Sequence, residues 1–365
     1  MLWDLVEPGS ELWTSALREL RHDFYHLPEY VRLCIGLYEG SKPRAFIARD
    51  AEGVFLLPLL VRRIEGTELF DAISPYGYAS PITSVHPGCD HSRFLGRAID
   101  ALVECLLKER IVSVFCRLHP LLTLPHDPLE QRGTVVEHGP TVYCDLRRSP
   151  LELWHATRET VRRQIRRAEQ AGFVVGEDAT FSQYDQFQLV YAATMRRVGA
   201  AEWYFFDREH FAGLRTALGE RMHLLTVRHD DEFVCGGLFS ETCGIVQYHL
   251  AGTKDGFENR GVSKLLIHHA RQWGHQRGNE VLHLGGGVGA ANDSLLHFKC
   301  GFSKLRATFH TWRLIVDERT YRDLVAQTRS QSLNNSAQPV SYFPEYRITG
   351  PRTIREGEKQ AVSAL

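Results

Sequence analysis

The stretch that decides the fold is residues 281–302, Val-Leu-His-Leu-Gly-Gly-Gly-Val-Gly-Ala-Ala-Asn-Asp-Ser-Leu-Leu-His-Phe-Lys-Cys-Gly-Phe. It begins as a short apolar strand and runs directly into three consecutive glycines at 285–287. Glycines at a strand end let a ligand approach the backbone closely, because no Cβ stands in the way. A polar turn then precedes a brief helix that should present the cation Lys299 beside the aromatic Phe298. These features predict a ligand site, although an ordinary turn with a solvated lysine would have the same pattern.

Working outward from this stretch, the chain repeats one plan twice. In the second half, apolar runs predict a meander, a helix and two further strands, at 224–228, 233–240, 245–251, 262–276, 281–284 and 308–316. In the first half, three predicted strands, a loop rich in proline and tyrosine, a helix and a buried strand lie at 31–38, 44–49, 54–64, 74–81, 92–109 and 111–118. The repetition predicts a mixed α/β fold that arose by internal duplication.

Length and composition fit two soluble domains. The chain has 365 residues, 43% of them hydrophobic and 24% charged, and its formal net charge of −1 limits any polyanion site to a local patch. The eight cysteines form no C-x-x-C pair and the 18 histidines have no metal-ligand spacing, so we expect reduced cysteines and no metal site. No signal peptide is recognisable and the longest strongly apolar run, 54–61, is too short to span a bilayer. We therefore expect a cytoplasmic protein without stable membrane insertion.

A helical segment between the two halves carries the densest positive charge. Ser149, Pro150 and Glu152 form a capping-box sequence, and the helix is predicted to continue to about residue 171, before Gly172. A second helix is predicted at 184–198. One face of the first helix is apolar and the other holds five arginines: Arg158, Arg162, Arg163, Arg166 and Arg167. Arginines at this density repel one another unless an anion neutralises them, and they suit phosphate contact. This face predicts a phosphate-binding surface, with a solvated helix face as the alternative.

A coenzyme A site would need a diphosphate-binding loop, [QR]-x-x-G-x-[GA], before the main helix of a lobe, where backbone N–H groups hold the phosphates. The corresponding stretch in the second half, 255–264, does not fit, since Ser263 stands where Arg260 would require glycine. A literal match at 93–98 lies inside a predicted helix. The sequence therefore disfavours coenzyme A as acyl carrier.

Together these segments resemble the Fem-type aminoacyl-transferases, which have the GNAT (acyltransferase) fold and take their acyl group from an aminoacyl-tRNA. The resemblance covers about residues 20–320 and is most specific at 284–302 and in the helix with Ile165, Ala168 and Gly172. It implies two tandem GNAT-like lobes, each a mixed sheet with flanking helices. We expect an N-terminal lobe at 1–148, a C-terminal lobe at 149–330 that starts with the helical insert, and a polar tail at 331–365, in which 342–347 docks on the surface.

The resemblance also implies roles for single residues. Lys299 and Phe298 are expected to act in catalysis, as a cation near the tRNA 3′ end and an aromatic that stacks on a base or ribose, and the five arginines are expected to hold acceptor-stem phosphates. Substrate contacts are expected from Tyr76, Tyr78, Thr194, Arg197, Tyr204, Tyr248, Gly285, Gly286, Asn292 and Asp293. No metal or resident cofactor is expected, because the aminoacyl-tRNA is a co-substrate.

The predicted reaction is amide formation between an aminoacyl-tRNA and an amine. The chain lacks the long helical arm of the peptidoglycan-bridge enzymes, so a small-molecule or peptide acceptor is as reasonable as a cell-wall precursor. A coenzyme A-dependent N-acyltransferase on the same fold is the first alternative. A non-catalytic module that binds an anionic ligand is the second.

Overall fold

The computed structural model describes residues 1–331 and 342–348. Contacts divide the chain into two compact units. Unit 1 is formed by Met1–Gly139 together with the described residues from Thr308 onward, and unit 2 by Pro140–Ala307. These units differ from the predicted lobes 1–148 and 149–330, because residues 308–330 belong with the first half of the chain.

The secondary structure alternates strands and helices. As far as Asp145 the elements are β1 (Leu2–Val6), α1 (Glu11–Glu19), α2 (Pro28–Leu33), β2 (Lys42–Asp50), β3 (Gly53–Arg63), β4 (Phe70–Ile73), β5 (Ile82–Val85), α3 (His91–Lys108), β6 (Ile111–Arg117), α4 (His126–Glu130) and β7 (Thr134–Asp145). The remaining elements are α5 (Pro150–Ala156), α6 (Glu159–Gln170), β8 (Val174–Glu177), α7 (Tyr184–Arg197), α8 (Arg208–Leu218), β9 (Met222–His229), β10 (Glu232–Thr242), β11 (Ile245–Thr253), α9 (Val262–Gln276), β12 (Val281–Gly285), α10 (Ser294–Lys299), β13 (Arg306–Ile315) and α11 (Glu318–Gln331).

Unit 1 contains a sheet in the order β1-β2-β3-β4-β6-β13, and β5 pairs with β3. β4 and β6 are parallel, whereas the other pairs are antiparallel. Helix α3 starts at Asp90, whose side chain accepts a hydrogen bond from the amide of Arg93. Its apolar face packs with Phe46, Leu57 and Val114 in the core of this unit.

In unit 2 the last residues of β7 are followed in the sheet by β12-β11-β10-β9-β8. β11 and β12 are parallel and the other pairs are antiparallel. Helix α9, which begins after Gly261 in the left-handed conformation, packs Leu266 and Ala270 against this sheet. Both units therefore have a parallel strand pair beside an antiparallel strand supplied from the other half of the chain: β13 beside β6, and β7 beside β12.

The predicted helix at 150–171 is two helices. The capping box of Ser149 and Glu152 starts α5 as expected. The backbone becomes extended at Thr157 and Arg158, because the Thr157 hydroxyl donates to Leu153 O and the Arg158 amide donates to Gly301 O instead of continuing the helix. Arg158 therefore precedes α6 as its N-cap, and only the other four arginines lie on the helix.

One predicted strand is wrong. Residues 31–38 form the end of α2 and a 3₁₀ turn at Cys34–Leu37. Pro28 is the first residue of α2, and Tyr30, Val31 and Cys34 are buried at helical spacing. A short apolar run has no clear period, so burial decided between helix and strand. The strands β1, β4, β5 and β7 and the helices α1, α4, α8 and α11 were not specified in the prediction.

The C-terminal patch docks on unit 1 as predicted. Tyr342, Phe343 and Tyr346 are buried, and the last two pack against Tyr321 and Leu324 of α11. Arg347 forms an ion pair with buried Asp71. The other residues of the predicted tail, apart from Gln331 and 342–348, lie outside the described part of the chain.

Within residues 1–331 and 342–348, no helix combines the length and the apolar composition that crossing a membrane requires.

Candidate functional site

The candidate site of unit 2 lies where its two parallel strands separate. β11 and β12 pair over only three residues each, ending at Gln247 and His283. Beyond this point β11 continues to Thr253, whereas β12 enters the glycine run. A crevice at the carboxyl ends of parallel strands is a common place for a ligand.

The glycine run has little space for any other residue. A Cβ on Gly287 would lie 2.2 Å from the carbonyl oxygen of Ala291 and 2.4 Å from Asp293 Oδ1. Asp293 accepts hydrogen bonds from the amides of Leu296 and Val288, both at 2.8 Å, so that it caps α10 and holds the loop. Gly285 has a φ of 76° and Asn292 is exposed. The predicted substrate roles of Gly285, Gly286, Asn292 and Asp293 stay predictions, with a loop-holding contact now identified for Asp293.

Lys299 is not presented to solvent, which corrects the expectation from sequence. Its side chain is fully buried, and its Nζ donates a hydrogen bond of 2.7 Å to the carbonyl oxygen of Gly286. Burial lowers the pKa of Lys299 to about 7, and Asp293 opposes part of this shift. Lys299 therefore ties α10 to the glycine run.

The accessible cation beside Phe298 is Lys264, which sequence reasoning missed. Lys264 Nζ lies 5.4 Å from the centroid of the partly buried Phe298 ring, within the range of a cation–π contact. It belongs to the first turn of α9, where burial lowers its pKa. Thirty-four positions separate the two residues, so no local pattern could have joined them.

The arginines of α6 continue this cationic surface. Arg158 Nη1 lies 2.8 Å from Nε2 of His297, the neighbour of Phe298 in sequence. The Arg163 side chain lies 3.8 Å from Glu159, and Arg166 lies 5.2 Å from the Trp154 ring centroid. Arg162, Arg166 and Arg167 form no ion pair with any residue that the structure describes. The surface formed by Arg158, Arg162, Arg163, Arg166, Arg167, Lys264, His297 and Phe298 is called the cationic surface below.

Buried Arg271 of α9 fixes the elements that form the cationic surface. Its Nη1 donates to Leu153 O, Thr157 Oγ1 and Phe302 O at 3.0, 2.8 and 3.2 Å. These three acceptors lie in α5, at the break before α6, and just after α10. A buried guanidinium is costly unless its hydrogen bonds are satisfied, so Arg271 keeps these segments together.

Thr194 and Arg197 hold the loop that follows β11. Thr194 Oγ1 accepts from the amide of Thr253, and Arg197 donates to Thr253 O. Arg197 also forms ion pairs with Asp255 and Glu258. In this structure the two residues position the loop, and their predicted contact with substrate stays a prediction.

Tyr204 and Tyr248, predicted to contact substrate, are both buried. The Tyr204 carbonyl accepts from Tyr191 OH at 2.9 Å. The Tyr248 ring lies 5.4 Å from that of Phe239 in the core of unit 2, and burial raises its pKa. Each therefore has a packing role, whereas contact with substrate stays a prediction.

In unit 1, Tyr76 and Tyr78 are 5% and 0% exposed. Tyr76 O accepts from Tyr30 OH, and the Tyr78 ring packs edge-on against Tyr25 and Phe309. A Cβ on Gly77 would lie 2.1 Å from the Tyr25 ring. The loop from which the resemblance implied substrate contacts is therefore packed into the core, and this burial does not support a substrate role.

Among the described residues, no group of three or more histidine, cysteine, aspartate or glutamate side chains could hold a metal ion. The eight cysteines are thiols rather than disulfides; five are buried, Cys89 and Cys300 are half-buried, and Cys243 is exposed.

Comparison with known proteins supports the fold. Residues 155–298, all in unit 2, match the family described as Acetyltransferase (GNAT) domain. The structure is similar to FemX, with a TM-score of 0.67 and 13% identity over 87% of this chain and 99% of that chain. It is also similar to L-PGS from Bacillus licheniformis, with a TM-score of 0.55 and 13% identity over 88% of this chain and 97% of that chain.

A third similar structure is the C-terminal domain (DUF2156) of a putative lysylphosphatidylglycerol synthetase from Agrobacterium fabrum, with a TM-score of 0.52 and 14% identity over 83% of this chain and 90% of that chain. No curated protein matches the sequence. The chain therefore has a tandem GNAT-like fold of the kind seen in FemX, as the sequence predicted.

Proposed function

We propose that this protein is an acyltransferase that joins the aminoacyl group of an aminoacyl-tRNA to an amine acceptor. The observation that carries the proposal is the cationic surface of unit 2. It combines arginines without ion pairs among the described residues with an aromatic ring under Lys264. Arginines suit phosphate contact, and an aromatic ring can stack on an unpaired base or ribose of a tRNA 3′ end. The similarity in fold to FemX supports a transferase of this kind.

The loop before α9 disfavours coenzyme A as the acyl carrier. Where a diphosphate would need free backbone N–H groups, this loop carries Asp255 and Glu258, which are both paired with Arg197. Helix α6 also packs closely on the start of α9: a Cβ on Gly261 would lie only 2.8 Å from Gln164 O. A diphosphate at this loop would therefore lie beside carboxylates, and α6 would block its access to the N-terminus of α9.

The reaction needs no protein nucleophile, because an aminoacyl ester is already activated. The acceptor amine attacks the ester carbonyl carbon, a C–N bond forms, the C–O bond to the ribose breaks, and the amine proton leaves with the ribose oxygen. The protein contributes position and electrostatic stabilisation. The cationic surface would hold the tRNA end, while Lys299 and Asp293 keep the glycine run in one conformation.

Two other functions use the same fold. A coenzyme A-dependent N-acyltransferase would be stabilised against heat by acyl-CoA, whereas the proposed enzyme would be stabilised by charged tRNA. A non-catalytic binding module would bind an anionic ligand at the cationic surface without turnover. The acidic loop and the covered start of α9 favour the tRNA-dependent enzyme over the first of these.

The salt dependence of tRNA binding tests the proposal. Replacing Arg162 and Arg166 together by Ala should reduce the slope of log affinity against log salt by about 0.7–0.9 for each phosphate that these arginines neutralise. The matched control replaces Arg208 and Arg215 of α8, which removes the same charge elsewhere in unit 2. An unchanged slope in the Arg162/Arg166 variant, or an equal change in the control, would remove α6 from the tRNA site.

Calorimetry with acetyl-CoA tests the donor. We expect no saturable binding at sub-millimolar concentration, because the loop before α9 offers carboxylates where phosphates would need donors. Micromolar binding of acetyl-CoA would overturn the assignment of tRNA as the donor.

A further inference from the structure

A row of polar side chains crosses the sheet of unit 2. Ser240 of β10 pairs with Gln247 of β11, which in turn pairs with His283 of β12. Residues opposite each other on neighbouring strands point to the same face of a sheet. Thr242 follows Ser240 by two positions and points to that face as well. The row ends where β11 and β12 separate.

Polar groups in this row are buried without partners. Ser240, Thr242 and Gln247 are 1%, 4% and 0% exposed. Within the described part of the chain, Ser240 Oγ, Thr242 Oγ1 and Gln247 Nε2 have no hydrogen-bond partner. Leaving one such group unsatisfied costs about 1–3 kcal/mol. Three neighbouring unsatisfied groups therefore destabilise the free protein considerably, which indicates that they have a role other than packing.

The fourth member of the row orients Gln247. His283 Nδ1 lies 2.8 Å from Gln247 Oε1 and donates to it. This hydrogen bond occupies the acceptor of the amide and leaves its N–H₂ group available to a ligand. His283 is therefore a positioning residue in this row.

We propose that Ser240, Thr242 and Gln247 form a buried subsite that binds an uncharged amide group of the acceptor molecule. Gln247 Nε2 donates to the amide carbonyl, and the two hydroxyls accept from its N–H. The three side chains are neutral, and strand alternation directs Glu241 to the opposite face. An amide matches this set of donors and acceptors without bringing a charge into a buried site.

The subsite deepens the proposed function, on which it rests, by making the acceptor an amine that also carries an amide, as in a peptide. It lies at the end of the paired strands, beside the glycine run. A lipid acceptor or a simple alkylamine would leave the three groups unsatisfied.

The test compares full-length variants without tRNA. Ser240→Ala and Thr242→Val each replace an unsatisfied hydroxyl with an apolar group of similar shape, so the free protein should melt at the same temperature or higher. Gln247→Leu also removes the acceptor of His283 Nδ1, so this variant serves only in the binding measurement. Thr157→Val is the matched control, because Thr157 is also buried but has two hydrogen bonds, to Leu153 O and Arg271. The control should melt at a lower temperature.

Binding is measured with glycylglycinamide as the amide-bearing probe and pentylamine as the probe without an amide. Glycylglycinamide should shift the ¹H–¹⁵N signals of the Gln247 side chain, which the Gln247→Leu variant identifies, and pentylamine should not. Each variant should weaken glycylglycinamide binding about 2- to 10-fold, the range for one neutral hydrogen bond. Unshifted Gln247 signals would overturn the subsite, as would a drop in the melting temperature of Ser240→Ala and Thr242→Val equal to that of Thr157→Val, which a structural water would cause. Because no tRNA is present, a failed tRNA-binding experiment removes the donor assignment and leaves this result standing.

Discussion

The two units differ in what lies at the ends of their parallel strand pairs. In unit 1, β4 and β6 are sealed at their ends: the Ser74 amide donates to Phe115 O, and buried Arg117 donates to Ser74 Oγ through its amide and to Ser74 O through Nη1. Tyrosines then fill the space beyond. In unit 2, the pairing of β11 and β12 ends beside three buried polar groups without partners, on Ser240, Thr242 and Gln247, and β12 then enters the glycine run.

The two units thus use similar strand arrangements in different ways. Unit 1 also buries a hydrogen bond of 3.1 Å between His119 Nε2 and Asp23 Oδ2 beside its strand ends. The amides of Leu121 and Leu122 donate to His119 Nδ1, so this ring holds its loop in place. In the first half the region beyond the strand ends is packed core, whereas the second half has the buried polar row and the cationic surface. Ligand binding is therefore expected in unit 2.

The largest expected effect is on the packing of unit 1. Tyr78→Ala should lower the free energy of unfolding by about 3–5 kcal/mol, because it removes a fully buried aromatic side chain. Phe298→Ala, at a partly exposed ring of unit 2, should cost clearly less stability while weakening tRNA binding. Urea denaturation, monitored separately for each unit, measures the two losses of stability. Equal stability losses, or a tRNA-binding defect in Tyr78→Ala with little loss of stability, would break the contrast between the units.

The next effect is the pH dependence caused by Lys299. Its pKa is about 7 in the folded protein and near 10.5 in the unfolded chain. Between these values the unfolded state binds the extra proton, so stability should rise with pH, and the cost of the buried charge is constant below pH 7. Wild type should gain about 2 kcal/mol relative to Lys299→Met between pH 7.5 and 9.5.

Parallel urea titrations of wild type and Lys299→Met at several pH values measure this difference directly. The comparison with the variant cancels the titration of all other groups. A difference that does not change with pH would mean that Lys299 keeps its ordinary pKa and is hydrated, and the tie between α10 and the glycine run would then be absent in solution.

The smallest expected effect tests whether Lys264 belongs to the cationic surface. Lys264→Met removes the cation over Phe298 and should weaken tRNA binding by about 0.5–2 kcal/mol, since the contact is partly desolvated. Lys304→Met removes an exposed lysine of the same unit and serves as the control. Filter binding at fixed salt separates them, and identical affinities for the two variants would exclude Lys264 from the site.

Much of the fold was predictable because periodicity and caps are local signals. Helix α9 has the predicted bounds, the capping box of α5 is present, and the strands β2, β3, β6 and β9–β13 lie within a few residues of their predicted positions. The prediction of a strand at residues 31–38 was wrong because a short apolar run fits either a strand or a helix face. The helix at 150–171 was predicted without its break, which depends on the acceptor Gly301 O far along the chain.

The candidate site was predictable only in part. The arginines and the glycine run were recognised as chemical features from residue type and spacing. Their partners were not, because Lys264 over Phe298, Arg271 under the α5–α6 break and the row from Ser240 to His283 join residues that are distant in sequence. The burial of Lys299 and Tyr78 was not predictable, because neither the polar end of a short helix nor a loop rich in proline indicates a fully buried side chain.

The sequence by itself determined the class of fold, the order of most elements and the presence of a dense positive charge on one helix, because these depend on hydrophobic period, caps and residue type within a few positions. The tertiary structure alone decided which cation is accessible, which tyrosines are core and which polar groups remain without partners. Those properties depend on solvent exclusion and on contacts between strands and helices that the chain brings together only when it folds.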